Sequence, residues 1–180
     1  MGEEYFSATL SRPQRISTYV GMVLFALILV GSVYGLIVGA YMMKSGEAVL
    51  LLLVVPTILP IPVLMLALPR YAPKGFAVSP EGLAIVRRND GRIPLPKSEI
   101  LSIEPQERAA FKRCIRGCGV GGYFGSWGWF WSPALKGFRA YITNIDNAVL
   151  VRTRTQGQFV LTPDDRDRFI ACASETLHLT

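Results

Sequence analysis

The sequence predicts a chain in two parts: a membrane-embedded α-helical hairpin, then a small all-β domain closed by a C-terminal α-helix. Three observations carry this. Two long uncharged runs, Tyr19–Met43 and Ala48–Leu68, are separated only by Lys44-Ser45-Gly46-Glu47. Charge is unevenly spread: 18% of the 180 residues are charged, against roughly 25% in an average soluble domain, and most of that charge lies beyond Lys74. From Phe76 onward, short β-branched and aromatic runs alternate with turn signals, and a helical period returns only near the C-terminus.

Residues 1–15 read as a cytoplasmic N-terminal segment and 16–68 as the transmembrane hairpin. A bilayer core of about 30 Å needs about 20 helical residues, and the first run exceeds that, so a tilted span fits. It is also too long for the h-region of a cleaved signal peptide, about 7–15 residues. Arg12 and Arg15 precede the first span, and Arg70 and Lys74 follow the second. Basic residues stay on the cytoplasmic side, so a multi-pass protein of the cell membrane is expected, with both termini cytoplasmic and the hairpin tip outward.

Gly31, Gly35 and Gly39 recur every four residues and carve a groove on one helix face, where another backbone can approach closely. The groove can take the second span of the same chain or the span of another subunit, so the oligomeric state stays open. Pro56, Pro60 and Pro62 are expected to kink the second span. Neither span holds an ionisable residue of the kind that proton relays and ion pathways use, which argues against transport.

Residues 69–75 form a short juxtamembrane linker, reaching at most about 25 Å. The domain at 76–180 is thereby held near the bilayer. Its expected strands are Phe76–Val78, Leu83–Val86, Arg92–Leu95, Ile100–Glu104, Phe138–Thr143, Val149–Thr155 and Gln158–Leu161, with turns at Ser79–Gly82, Asn89–Gly91 and Gln156-Gly157. Thr162 as cap, Pro163 at the first helical position and the acids Asp164, Asp165 and Asp167 announce the final helix. Phe169, Ile170, Ala173 and Leu177 share its apolar face.

These stretches resemble the bacterial pleckstrin-homology-like (PH-like) membrane proteins. The resemblance covers residues 75–178 and is carried by Gly122–Gly125, Gly137–Thr143, Val149–Val151, Phe159–Asp165 and Phe169-Ile170. It implies a split, strongly bent PH-like barrel of about seven antiparallel strands, plugged at one end by the helix. In the eukaryotic lipid-binding version, basic residues around the first hairpin hold inositol phosphates. Here that turn is Ser79-Pro80-Glu81-Gly82, with an acid and no base, which argues against specific phosphoinositide recognition.

The stretch from Arg108 to Arg139 is the candidate contact region. It holds no acid, while Arg113, Arg116, Lys136 and Arg139 are basic and Trp127, Trp129 and Trp131 lie together. Such a loop either folds its aromatics over the barrel or presents them to lipid headgroups or a protein partner, with Lys and Arg each contributing about 1 kcal/mol on an anionic leaflet. Nucleic acid is not an expected partner, since the domain's charge excess is small and no single-strand-binding motif is present.

Gly117-Cys118-Gly119-Val120-Gly121-Gly122 spells the dinucleotide fingerprint but lacks a following helix, so no cofactor is expected. Cys114 and Cys118 lack the further ligands zinc wants, the only His being His178, so no metal is expected either. No acid–base pair or activated nucleophile is legible, which points away from an enzyme. Two readings remain: a membrane-anchored, non-catalytic binding or scaffolding module, and an accessory subunit of a membrane complex assembled through Gly31, Gly35 and Gly39.

Overall fold

In the computed structural model, which describes residues 2–42 and 60–178, helix α1 runs from Arg12 to Met42. Pro13 sits in its first turn, where the missing N–H is not needed. Beyond Thr18 most of its side chains are exposed, Val23, Leu27, Val30, Tyr34 and Ile37 among them, while Gly21, Phe25, Ser32, Leu36 and Gly39 form one half-buried stripe. A helix this apolar, with most of its surface uncovered among the described residues, needs lipid or a partner around it. Among the described residues it is the one helix long and apolar enough to cross a membrane. The second expected span lies outside the described residues as far as Leu59, together with most of the Pro56–Pro62 segment. Its last part is helix α2, Pro60–Ala67.

Two sheets follow. The first contains β1 (Glu4–Ser7), β2 (Pro73–Ser79), β3 (Gly82–Arg87) and β4 (Arg92–Pro96), paired in that order and antiparallel throughout. The second contains β5 (Ile100–Pro105), β6 (Ile115–Val120), β7 (Ser126–Ser132), β8 (Lys136–Ile142), β9 (Val149–Thr153) and β10 (Gln158–Leu161). Its order is β5-β9-β10-β8-β7-β6, so β10 returns from the β9 hairpin and inserts beside β8 in parallel. Where that parallel pair ends, the Thr143 amide donates to Thr162 Oγ1 at 2.8 Å, and the two buried hydroxyls lie 3.1 Å apart.

The seven expected strands are all present, but the described residues hold ten strands, and one pairing is parallel. The three additions have physical reasons. β1 pairs with β2 because the N-terminal segment is tied down from a distance. Asp164 accepts hydrogen bonds from Ser7 Oγ (2.7 Å), the Thr9 amide (2.8 Å) and Thr9 Oγ1 (2.9 Å), while Arg92 grips Glu3 at 2.7 Å. Gly75 has no Cβ to collide with the Tyr5 ring crossing it. The other two additions, β6 and β7, replace what was expected to be a loop.

Side chains from both sheets meet α3 (Arg166–Leu177) in one core. Phe169 is fully buried at its centre, edge-on to Phe6 at 5.2 Å and to Phe76 at 6.2 Å. Burying a side chain of this size contributes about 1.5–3 kcal/mol. The helix begins later than the sequence suggests. Asp165 is its N-cap, accepting from the Arg168 amide at 3.2 Å. Thr162 is unavailable, because its hydroxyl is spent on Thr143. A second apolar cluster, including Phe111, Phe138, Ile142 and Leu150, covers the opposite face of the larger sheet.

Candidate contact surfaces

The stretch from Arg108 to Arg139 begins with a 3-10 turn, Arg108–Phe111, and continues as the β6–β7 hairpin laid against β8. β6 is glycine-rich because it crosses β7 unusually closely. A Cβ on Gly119 would lie 2.9 Å from Gly128 Cα, and one on Gly128 would lie 2.6 Å from Gly119 Cα. Both residues have strongly positive φ. The dinucleotide-like spelling is thus a bulged strand and its turn.

Strand alternation sorts the candidate residues. Trp127, Trp129 and Trp131 share a face with Arg139, their cross-strand neighbours on β8 being Tyr141, Arg139 and Gly137. Trp129 and Trp131 are 47% and 43% exposed, and Ile115, opposite Trp131, is 62% exposed. The Arg139 guanidinium stands 5.8 Å from the Trp129 ring centre, within cation–π range. Trp127 instead turns inward, half-buried, with its ring 6.4 Å from Tyr71. The aromatics therefore do both expected things: one packs and two face outward. Arg116 pairs across from Phe130 and so lies on the opposite face. Arg113 and Lys136 sit at the open end of the hairpin, away from its turn. Four residues of strand, about 13 Å, separate Trp127 from Trp131.

The hairpin turn, residues 121–125, docks on α1. Thr18 is buried against it, its Oγ1 accepting the Phe124 amide at 3.0 Å while donating to Gln14 O at 2.8 Å. Tyr123 lies over Gly21, and its hydroxyl donates to Met65 O at 3.3 Å. The β3–β4 turn is drawn to the same level, the Arg88 amide donating to Ala72 O and the Asn89 amide to Arg70 O, each at 3.0 Å. Arg88 of that turn borders a recess of about 470 Å³, lined also by Ala8, Thr9, Leu10, Arg15 and Lys74. The sequence marks Arg15 and Lys74 as flanking charges but gives no reason to join Arg88 to them. The only available signal is the Asn89-Asp90-Gly91 turn beside it. Lys74 donates to Asp90 at 2.9 Å, and that bond raises its pKa.

The Ser79–Gly82 turn borders a larger recess of about 760 Å³, whose charged residues are Glu3, Glu81 and Arg92. Arg92 is already held by Glu3. Gly31, Gly35 and Gly39 have open space around them among the described residues. Cys114, Cys118 and Cys172 are free thiols, and burial raises the pKa of Cys114 and Cys172. Among the described residues no group of three His, Cys, Asp or Glu side chains could hold a metal ion.

A family model described as the bacterial PH domain matches residues 74–175. No curated protein and no solved structure matches the chain.

Proposed function

The chain belongs to the bacterial PH-domain family, and from that membership we propose that it is a non-catalytic binding module held at the cytoplasmic face of the cell membrane. The observation that carries this reading is the docking of the hairpin turn on α1 at Thr18, next to Tyr19, where the uncharged run begins. The β3–β4 turn's hydrogen bonds to the linker bring Arg88 beside Arg15 and the Asp90-paired Lys74 near the foot of the apolar helix, where an unpaired cation adds about 1 kcal/mol of attraction to an anionic leaflet. The second span, running through Ala48–Leu68, would return the chain to the same side.

The outward face of Ile115, Trp129, Trp131 and Arg139 then serves a protein partner. Exposed aromatics beside arginine are the residue types that dominate binding energy at interfaces. Arg113 and Lys136 at the open end give the partner a basic rim and favour an acidic one. Crosslinking and pull-down of the full-length protein from its native membrane tests this. A partner captured by the wild type and lost on charge reversal of Arg113, Lys136 and Arg139 supports the reading; capture unaffected by those changes removes this surface from it.

One observation favours a second reading. The groove at Gly31, Gly35 and Gly39 is open among the described residues, so a span from another subunit could seat there. Gly35→Leu would then break a detergent-stable complex, and a monomer in both variants would contradict it.

A further inference from the structure

The larger sheet carries a cavity of about 320 Å³ on the face opposite the tryptophans, between that sheet and the start of α1. Its floor is apolar, formed by Phe111, Phe130, Phe138 and Ile142, with Phe138 stacked on Phe130 at 6.1 Å. Its lining includes Arg108 and Arg116 and no acidic side chain. Arg108 makes a loose, exposed pair with Asp146 at 3.4 Å, and Arg116 has no ion pair among the described residues. Gln14, from the first turns of α1, also lines the cavity, and its buried Oε1 has no hydrogen-bond partner among the described residues. An apolar pocket with a few convergent polar groups is the usual build of a small-ligand site, and this volume is at the small end of the ~300–1,000 Å³ range. It suits one apolar chain and not the paired chains of a diacyl lipid.

We infer that this cavity binds a single-chain anionic amphiphile, the chain lying on the phenylalanine floor and the anionic head meeting Arg116 and Arg108. The source of the ligand rests on the anchor reading above. Gln14 lies five residues before Tyr19, about 7.5 Å along the helix, at the outer margin of the headgroup layer. Single-chain amphiphiles concentrate in that layer. The site differs from the Ser79–Gly82 turn in place and in chemistry, since that turn is acidic and the cavity combines bases with an apolar floor.

Cys114 lines the cavity, and Cys118 lies on the opposite face, beside Trp129. The test uses the full-length protein in neutral phosphatidylcholine nanodiscs, with alkylation of each thiol by N-ethylmaleimide followed by peptide mass spectrometry. Saturating laurate is expected to slow Cys114 about tenfold and leave Cys118 unchanged. Dodecanol, which lacks the charge, and inorganic phosphate, which lacks the chain, are expected to protect neither. Arg116→Gln should raise the laurate concentration for half-protection about tenfold, the loss of one charge-assisted contact. Unchanged Cys114 alkylation, equal protection by dodecanol, or protection by phosphate alone would overturn the inference. A chain that stays in solution without detergent overturns the anchor reading instead, and the same alkylation can then be read in plain buffer.

Discussion

Thr18 Oγ1 accepts the Phe124 amide at 3.0 Å, across 106 residues of sequence. That bond seats the tip of the β6–β7 hairpin on the apolar helix and fixes where the domain sits along it. Thr18→Val keeps the shape but leaves a part-buried amide without a partner, a cost of about 1–3 kcal/mol. Hydrogen exchange at Phe124 is expected to speed up by about tenfold or more, while Val151 in the core keeps its protection.

Phe169 is the hub of the main core, and Phe169→Ala should cost about 3–5 kcal/mol. Trp131→Ala, on the exposed face, should change stability by about 0.5 kcal/mol or less. Denaturant unfolding of the full chain in mild detergent measures both. Similar losses for the two would mean that the outward aromatics belong to the core after all.

The N-terminal strand should be sensitive to acid. Cys172 and Arg168 hydrogen-bond to Glu4, at 3.1 Å and 2.6 Å, and these contacts, that of Cys172 foremost, hold its carboxyl below the usual carboxylate range. A depressed carboxylate stabilises the fold above its ordinary pKa, and that contribution is lost as pH falls through the lowered value. Exchange protection factors at Tyr5 and Phe6 should therefore hold from neutrality down to about pH 5 and fall below pH 4. In Glu4→Gln the pH dependence of that protection should be weaker.

Truncation gives a further expectation. A fragment beginning at residue 75 would lack β1 and the start of β2, exposing the apolar surface that Phe6 covers. It should be less stable than the full chain by several kcal/mol, with Phe6 alone contributing about 1.5–3 kcal/mol. Supplying residues 2–11 as a peptide should recover part of this loss, read as a rise in Tm.

Much of the fold was legible in the sequence because its signals are local. The Ser79–Gly82, Asn89–Gly91 and Gln156-Gly157 turns bracket strands with the right period, and Phe169, Ala173 and Leu177 mark one helix face. What was not legible depends on distant partners. Four residues, Glu4–Ser7, carry no strand signal of their own, and Asp164, Arg92 and Arg168 hold them in place. β6 is almost without alternation because Gly119 must meet Gly128. The seven residues proposed from sequence as one contact group are divided by strand alternation: Trp129, Trp131 and Arg139 share an outward face, while Arg116 is behind it and Trp127 is tucked against Tyr71. Arg88 joins Arg15 and Lys74 only through a turn's hydrogen bonds to the linker.

The most direct test of the account is the side of the membrane on which each end of α1 lies. Intact cells expressing the full-length chain are treated with a membrane-impermeant maleimide, comparing a cysteine introduced at Ser45 with the native Cys118. With the hairpin tip outward and the domain inside, Ser45→Cys is labelled from outside and Cys118 reacts only after permeabilisation. Labelling of Cys118 in intact cells would contradict it, as would recovery of the whole chain from the soluble fraction without detergent.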